Sequence, residues 1–171
     1  GDCFGCTDPK TLLEQFEKCL ESIKTAVDEI VVVWTDTNED IPKIAEKHGA
    51  KVFKHEYTRD TWNFAEARNI AIEHTTCLPE DWIFIVDTDE YLDQADIPRM
   101  RMVSNNDKHD GIQFHVHSYL PTGTSMVNSI RMFRRSVAGY KDLVHNQPTF
   151  EGMSVITNIR VHHDGYNLTE E

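Results

Sequence analysis

The sequence lacks an excess of positive charge and lacks any long apolar run. Its 171 residues carry 17 Lys and Arg against 29 Asp and Glu, a formal net charge of −12. General nucleic-acid binding is therefore excluded, because it requires a positive surface that neutralises phosphates. No stretch approaches the roughly 18 apolar residues of a membrane span, and no signal peptide is visible. We therefore expect a cytoplasmic protein without a membrane span, although the chain opens with Gly1 rather than Met and a leader outside it stays open.

Cysteine is also scarce, with 4 residues in the chain. This number excludes a disulfide-dense mini-protein. Cys3 and Cys6 form a single Cys-x-x-Cys pair, and Cys19 and Cys77 lie far from it. The pair matches half a zinc site or a redox pair, but no second pair completes a zinc site, so we favour reduced thiols.

Repeats, low-complexity stretches and linkers rich in Gly, Ser or Pro are absent from the sequence. Hydrophobic residues make up 39% and charged residues 27%, which excludes a disordered acidic tail. A chain of roughly 150 residues buries about two-thirds of its unfolded surface. We predict one domain over residues 1–171.

The first half alternates helical and extended patterns. Apolar residues recur at helical spacing after Asp8-Pro9 up to Ile23, and helices are also predicted over about 41–48, ending at Gly49, and over 62–74. Apolar runs at 30–34, 51–53 and 82–86 indicate strands. This order predicts an α/β fold with a mostly parallel central sheet covered by helices.

The second half has extended patterns without helices between them. Residues 111–119 alternate apolar and polar side chains, and 129–133 and 154–161 are also extended in character. We expect these strands to add antiparallel or mixed pairing at one side of the sheet. His115 and His117 share one face of the first of them, where a solvated polar face is favoured over a metal pair.

Acidic residues follow two of the predicted strands. Asp36 comes after the strand at 30–34, and Asp87 and Asp89 come directly after the strand at 82–86. Ligands of open α/β sheets bind at the carboxyl ends of strands. Strand alternation places Asp87 and Asp89 on the same side, with Thr88 pointing away. Neighbouring carboxylates repel each other, so a divalent cation such as Mg²⁺ or Mn²⁺ is the expected partner. The alternative is a solvated acidic loop.

Seven stretches together resemble family-2 glycosyltransferases of the GT-A nucleotide-sugar fold. They are Asp28–Thr37, Ile44–Val52, Trp62–Asn69, Asp81–Glu90, Arg131–Arg135, Tyr140–His145 and His163–Tyr166. The likeness extends over about residues 10–166 and rests on the order and spacing of the motifs. It implies a metal-dependent, inverting transfer from a UDP-sugar to an acceptor hydroxyl on a glycan or another compound. Residues 1–100 would then form the nucleotide-binding half, and 101–171 would complete the acceptor and metal side.

The resemblance also implies roles for individual residues. Asp89 matches a metal ligand, and Asp87 matches an acid near the ribose and the metal. The other implied positions are Asp36 at the uracil or ribose, Arg68 and Asn69 near the nucleotide, and His145 and His163 at the metal or diphosphate. Arg134 and Arg135 carry planar fork donors that suit a phosphate.

The sequence departs from the family pattern in three places. Residues 1–7 are short for a first strand, Trp34 stands where an acid is common, and Asn146 follows His145 where another acid is usual. The general base is consequently unassigned, with Asp110, Asp142 and Glu151 as unranked candidates.

Two other functions stay open beside sugar transfer. A nucleotidyltransferase also combines acids and a metal on an α/β sheet, but the Gly-rich basic phosphate loop expected of it is absent from the sequence. A non-catalytic module that binds a sugar or nucleotide is favoured by the unassigned base and the unusual first segment. The oligomeric state is open.

Overall fold

A computed structural model describes residues 9–35, 37–57, 63–141 and 147–165. The described helices are α1 (Pro9–Ile23), α2 (Asp40–Lys47), α3 (Phe64–Glu73) and α4 (Ile97–Ser104). The strands are β1 (Val31–Trp34), β2 (Lys51–Lys54), β3 (Trp82–Phe84), β4 (Glu90–Leu92), β5 (Gly111–Leu120), β6 (Gly123–Arg134), β7 (Tyr140–Lys141), β8 (Gln147–Pro148) and β9 (Ser154–His163). Short 3-10 segments lie at Gln94–Asp96 and Arg135–Val137.

The helix ends follow the local chemistry of the sequence. The side chain of Asn63 caps α3 by accepting a hydrogen bond of 3.1 Å from the backbone N–H of Glu66. After α2 the chain turns at Gly49, whose φ is +78°. Glycine adopts this left-handed conformation without the steric cost that a side chain brings. None of the described helices is long and apolar enough to cross a membrane.

The described strands form three groups. β1 and β2 pair in parallel, with Val31 opposite Lys51. A five-stranded sheet has the order β3-β6-β5-β9-β4, in which β5 and β9 are parallel and the other pairs are antiparallel. β7 and β8 form a short antiparallel pair. The predicted α/β class and the antiparallel strands of the second half are confirmed. Parallel pairing is less extensive in the described residues than expected, because the β5–β6 hairpin places antiparallel β6 beside β3.

Helix α1 joins two parts of the hydrophobic core. Its Phe16 and Leu20 pack with Ala45 and Ala50 below β1 and β2, whereas Ile23 packs in the cluster beneath the five-stranded sheet. That second cluster contains the fully buried Leu92, Ile112, Phe114, Ile159 and Val161. The side chains of β5 and β9 that line this core belong to the same strands that extend toward the site described below.

Helix α4 and the strands β4, β7 and β8 were not predicted from the sequence. Helix α4 has a weak apolar pattern, although its Ile97 and Met100 are buried. Strand β4 is three residues long and begins with the charged but buried Glu90. Cys3 and Cys6 lie outside the described residues, while Cys19 and Cys77 are free thiols. Burial raises the pKa of Cys19 to about 12, so this thiol is neutral at physiological pH.

Asp96 joins the start of α4 to β9 and is 3% exposed. Its carboxylate accepts hydrogen bonds from the backbone N–H (2.9 Å) and from Nε (2.8 Å) of Arg160. We expect Asp96→Asn to lower the free energy of unfolding by about 2 kcal/mol, because the amide leaves a buried donor or acceptor poorly matched. Urea unfolding at pH 7 measures this loss.

The same substitution is expected to lose its effect in acid. Burial raises the pKa of Asp96, but the Arg160 hydrogen bonds outweigh burial and hold the pKa below its ordinary value. The carboxylate therefore contributes fully above the unfolded pKa of about 3.9, and its contribution disappears as the pH falls through the lower folded pKa. Asp107→Asn, at an exposed turn, is the matched control. Equal stability of the Asp96 and Asp107 variants at pH 7 would contradict the prediction.

Candidate active site

The acids after β3 lie in a turn rather than on a continued strand. The backbone N–H of Glu90 donates to the carbonyl oxygen of Asp87 over 3.0 Å, which closes a turn over residues 87–90. Strand alternation, the reason given for expecting Asp87 and Asp89 on one side, therefore does not apply to them. Because the chain reverses at Thr88, the two carboxylates have different partners.

Asp87 faces two arginines from different elements. Arg68 of α3 donates to Oδ1 of Asp87, and Nη1 of Arg131 on β6 lies 3.8 Å from Oδ2. The surrounding protein raises the pKa of Asp87 by desolvation, but the charges of Arg68 and Arg131 outweigh it and lower the pKa. The Asp87 side chain is 43% exposed, so this cluster of charges is accessible to a ligand.

Asp89 faces a histidine at the carboxyl end of β9. Oδ2 of Asp89 lies 3.0 Å from Nε2 of His163. The other ring nitrogen of His163, Nδ1, lies 3.3 Å from Oγ of Ser118 on β5. The hydrogen bond to Asp89, against the opposing effect of burial, raises the pKa of His163. The structure thus brings together two of the predicted metal ligands that lie 74 positions apart in the chain.

The chain after β9 closes over this pair. The backbone N–H of Asp164 donates to the carbonyl oxygen of Asp89 over 3.1 Å, and Nζ of Lys18 on α1 donates to the Asp164 carboxylate over 2.7 Å. A Cβ at Gly165 would lie 2.8 Å from Nε2 of His163 and closer still to Oδ2 of Asp89. The absence of a side chain at Gly165 therefore leaves free the space beside both atoms.

The Oδ2 atom of Asp89 and the Nε2 atom of His163 lie close enough to contact one divalent cation. In the described part of the chain, no three His, Cys, Asp or Glu side chains are grouped so that they could hold an ion by themselves. Mg²⁺ is usually held by one or two protein ligands together with phosphates and water. Adjacent ligands of an octahedral ion with bonds of about 2.1 Å are about 3.0 Å apart, and Oδ2 of Asp89 and Nε2 of His163 have that separation.

Glu90 and Arg131 are site residues that sequence reasoning did not assign. Glu90 is 2% exposed, accepts a 2.5 Å hydrogen bond from Nη2 of Arg131, and accepts another of 3.0 Å from the backbone N–H of Asp87. Burial, opposed by Arg131 and reinforced by the charge of Asp87, raises the pKa of Glu90 to about 7. Both residues belong to stretches that carry the family resemblance, so their position in those motifs was the available signal.

The side chains of Asn69 and Arg134 bond to other parts of the protein and not to Asp87 or Asp89. The amide of Asn69 donates to the carbonyl oxygen of Tyr140 over 2.9 Å and accepts from its N–H over 2.8 Å. Arg134 lies opposite Trp82, at the far end of β3 from Asp87. Its guanidinium donates to the carbonyl oxygen of Glu80 and stacks 4.0 Å above the Trp82 ring. The structure therefore replaces Arg134 with Arg131 as the arginine of β6 that reaches the carboxylates.

Two of the three candidate bases lie far from the site. The backbone N–H of Asp110 donates to the carbonyl oxygen of Met153, just before the parallel strands β5 and β9 begin. Glu151 lies two residues before Met153. Ser118 and His163 lie at the opposite ends of these strands. Eight residues of strand correspond to about 26 Å, so Asp110 and Glu151 are excluded as bases for chemistry at Asp89. Asp36, Asp142 and His145 lie outside the described residues.

The carboxyl end of β1 offers one polar group without a partner. Trp34 is 8% exposed, and in the described part of the chain its indole Nε1 has no hydrogen-bond partner. Nζ of Lys54 lies 4.8 Å from the centre of the Trp34 ring. The residue that stands in place of a common acid is therefore a buried hydrogen-bond donor.

The histidines of β5 lie on the sheet face opposite the main core. The ring centres of His115 and His117 are 6.3 Å apart, and His162 lies 5.9 Å from His117. Burial lowers the pKa of His117. His162 is hydrogen-bonded to Asp93 and Tyr119, at 3.0 and 2.6 Å, which occupies both of its nitrogens.

Comparisons with known proteins show the family of this chain and its fold. A model of the family described as glycosyl transferase family 2 matches residues 6–163. Over 166 residues the chain is 28% identical to the SPbeta prophage-derived glycosyltransferase SunS of Bacillus subtilis, covering 92% of this chain and 38% of SunS. A TPR repeat-containing protein of Synechococcus elongatus is 39% identical over 79 residues, which cover 46% of this chain and 18% of that protein.

A solved structure shows the same fold. TarS of S. aureus superposes with a TM-score of 0.56 at 14% identity, over 74% of this chain and 44% of that TarS chain. Likeness at this identity concerns the fold alone. The chain spans 38% of the length of SunS, so it corresponds to one part of that relative.

Proposed function

The chain belongs to glycosyl transferase family 2, and we propose that it transfers a sugar from a UDP-sugar to an acceptor hydroxyl with the help of Mn²⁺ or Mg²⁺. In the proposed reaction the acceptor oxygen bonds to the anomeric carbon as the bond to UDP breaks, with inversion at that carbon. The acceptor is a glycan or another compound that presents a hydroxyl group.

The observation that carries this proposal is the pairing of Asp89 with His163 beside the arginines that face Asp87. The first pair presents an oxygen and a nitrogen 3.0 Å apart, a spacing that suits one cation. Arg68 and Arg131 add two positive charges at the same end of the sheet. A diphosphate needs both kinds of group, because its charge rises as the glycosyl bond breaks.

The proposed roles are cation binding for one group of residues and phosphate binding for another. Asp89 and His163 would hold the cation, which when bound stabilises the negative charge of the departing diphosphate. Arg68 and Arg131 have planar guanidinium groups that match phosphate oxygens. Asp87 contacts both guanidinium groups and thereby orients them.

The general base is proposed to be Asp142. Asp110 and Glu151 are too distant, which leaves one of the three candidates. Asp142 follows Tyr140 by two positions, and the ring centre of Tyr140 lies 5.0 Å from Cζ of Arg68. It is therefore the candidate nearest in the chain to a residue of the site.

A melting experiment tests the donor class. We expect UDP with Mn²⁺ to raise the melting temperature of the full chain by about 5–10 °C at 100 times its dissociation constant, since this stabilises by about 2.7 kcal/mol. UDP without Mn²⁺ is expected to have a smaller effect, because half of the proposed contacts to the diphosphate require the cation. GDP, ADP and ATP serve as controls.

Three outcomes would contradict the proposal. A shift with ATP but none with UDP would favour a nucleotidyltransferase. Binding of UDP without transfer or hydrolysis of any UDP-sugar would favour a non-catalytic module. No shift with any nucleotide would contradict nucleotide binding at Asp87 and Asp89.

A further inference from the structure

Glu90 is an acid buried in a position where a charge is costly. With 2% of its surface exposed, the carboxylate needs partners for both oxygens, because an unpaired buried charge destabilises a protein. Oε1 accepts a hydrogen bond of 2.5 Å from Nη2 of Arg131, and Oε2 accepts one of 3.0 Å from the backbone N–H of Asp87. Oε2 is thus bonded to the turn over residues 87–90, and Oε1 to an arginine of β6.

Glu90 closes the turn over residues 87–90 from two directions. Its backbone N–H donates to the carbonyl oxygen of Asp87, while its side chain accepts from the N–H of the same residue. Thr88 and Asp89 lie within this doubly bonded loop. The orientation of the Asp89 carboxylate therefore depends on the side chain of Glu90, which is itself buried.

Arg131 connects this turn to β6. Its guanidinium is shared between Glu90 (2.5 Å) and Asp87 (3.8 Å), and its side chain is 12% exposed. In the part of the chain that the structure describes, its buried Nε has no hydrogen-bond partner. Glu90 is thus the closer of the two carboxylates that orient this arginine.

We propose that Glu90 is a positioning residue, which acts through the Asp87 N–H and Arg131 to hold Asp89 and the guanidinium ready for a diphosphate and its cation. The proposal rests on the function proposed above. Glu90 touches neither substrate nor cation. A merely structural Glu90 would stabilise the fold without affecting the affinity of the folded protein for its ligand.

The test compares two buried acids with similar surroundings. Glu90→Gln removes the charge next to the turn, and Asp96→Asn removes a charge that is also paired with an arginine and a backbone N–H but contacts β9 instead. We expect Glu90→Gln to weaken UDP binding in the presence of Mn²⁺ by about 10–100-fold, the usual effect of losing a residue that orients a metal ligand. Calorimetric titration of the full chain, well below the melting temperature of each variant, measures the dissociation constants.

The control variant separates positioning from stability. Asp96→Asn is expected to lower the melting temperature and leave the dissociation constant of UDP with Mn²⁺ unchanged. Equal weakening in the two variants, or unchanged binding in Glu90→Gln, would overturn the proposal. If Glu90→Gln does not fold, Glu90→Asp keeps the charge but shortens the side chain that reaches the Asp87 N–H and Arg131, and the same weakening is expected.

Hydrogen exchange tests the proposal separately from the proposed function. The N–H of Asp87 is expected to exchange faster in Glu90→Gln than in the wild type or Asp96→Asn, because the single amide oxygen of Gln cannot accept hydrogen bonds from both the Asp87 N–H and Arg131. Unchanged exchange at Asp87 would overturn the positioning role even where UDP binds. Failure of the wild type to bind UDP with Mn²⁺ would overturn the proposed function, and the exchange rates would still decide whether Glu90 holds the turn.

Discussion

Asp89→Asn is expected to reduce sugar transfer by about 10²–10³-fold, the range seen when one group that stabilises transition-state charge is removed. The substitution keeps the size of the side chain but removes the negative charge that a hard divalent cation prefers. It also removes the carboxylate that raises the pKa of His163. Initial rates with a UDP-sugar at several Mn²⁺ concentrations measure the loss, and the concentration of Mn²⁺ at half-maximal rate is expected to rise.

Asp81→Asn is the matched control for this prediction. Asp81 immediately precedes β3, at its other end, and Oδ2 accepts a 2.7 Å hydrogen bond from the backbone N–H of Leu78. An amide oxygen accepts the same bond, so the variant changes the net charge equally without disturbing the site. Its transfer rate is expected to equal that of the wild type. Intact transfer and intact Mn²⁺-dependent UDP binding in Asp89→Asn would show that Asp89 is not part of the site.

Gly165→Ala is expected to cost about 10²-fold in transfer, the effect of misplacing reacting groups by about 1 Å. The added Cβ would lie 2.8 Å from Nε2 of His163 and even closer to Oδ2 of Asp89. These two side chains would have to move apart, and the space between them and the ligand would be filled. The φ of Gly165 lies outside the left-handed region, so we expect the backbone to accept alanine and the melting temperature to change little.

Gly49→Ala is expected to lower stability without lowering the transfer rate, the reverse of Gly165→Ala. A Cβ at Gly49 meets no atom within 4 Å, but the φ of +78° is unfavourable for a side chain. The variant is expected to lose about 1–2 kcal/mol of stability and to keep its transfer rate per folded molecule. Thermal unfolding and initial rates on both variants distinguish the two effects. Full activity in Gly165→Ala would mean that Asp89 and His163 do not share a ligand.

The helices and strands of the first half were predictable because their causes are local. The β-branched run before Trp34 predicted β1, and helical spacing before Ile23 predicted α1. Gly49 marked the end of α2, where φ is indeed positive. Each of these features depends on the conformational preferences of neighbouring residues.

The geometry of the acids was predicted less well. The sequence predicted that Asp87 and Asp89 belong to a site, but the strand assumed to carry them ends at Phe84. The turn that reverses the chain is held by Glu90 and Arg131, which are 41 positions apart. A contact over that separation leaves no local pattern.

The choice between two arginines of β6 illustrates the same limit. Arg131 and Arg134 are three positions apart, so on a strand they lie about 10 Å apart and on opposite faces. The sequence-based prediction chose Arg134, although the two side chains have the same chemistry. Pairing of β6 with β3 determines which arginine reaches the carboxylates. It places Arg134 opposite Trp82 and Arg131 beside the turn that follows β3.

Residue order was enough to indicate an α/β domain, its family and the segments that carry its acids, because apolar periodicity and motif spacing are local properties. The partners of those acids were decided by folding. His163 reaches Asp89 only because β9 pairs with β4, and Arg131 reaches Glu90 only because β6 lies beside β3. Strand pairing is set by burial and backbone hydrogen bonding across the whole sheet, so the site exists as a unit only in the tertiary structure.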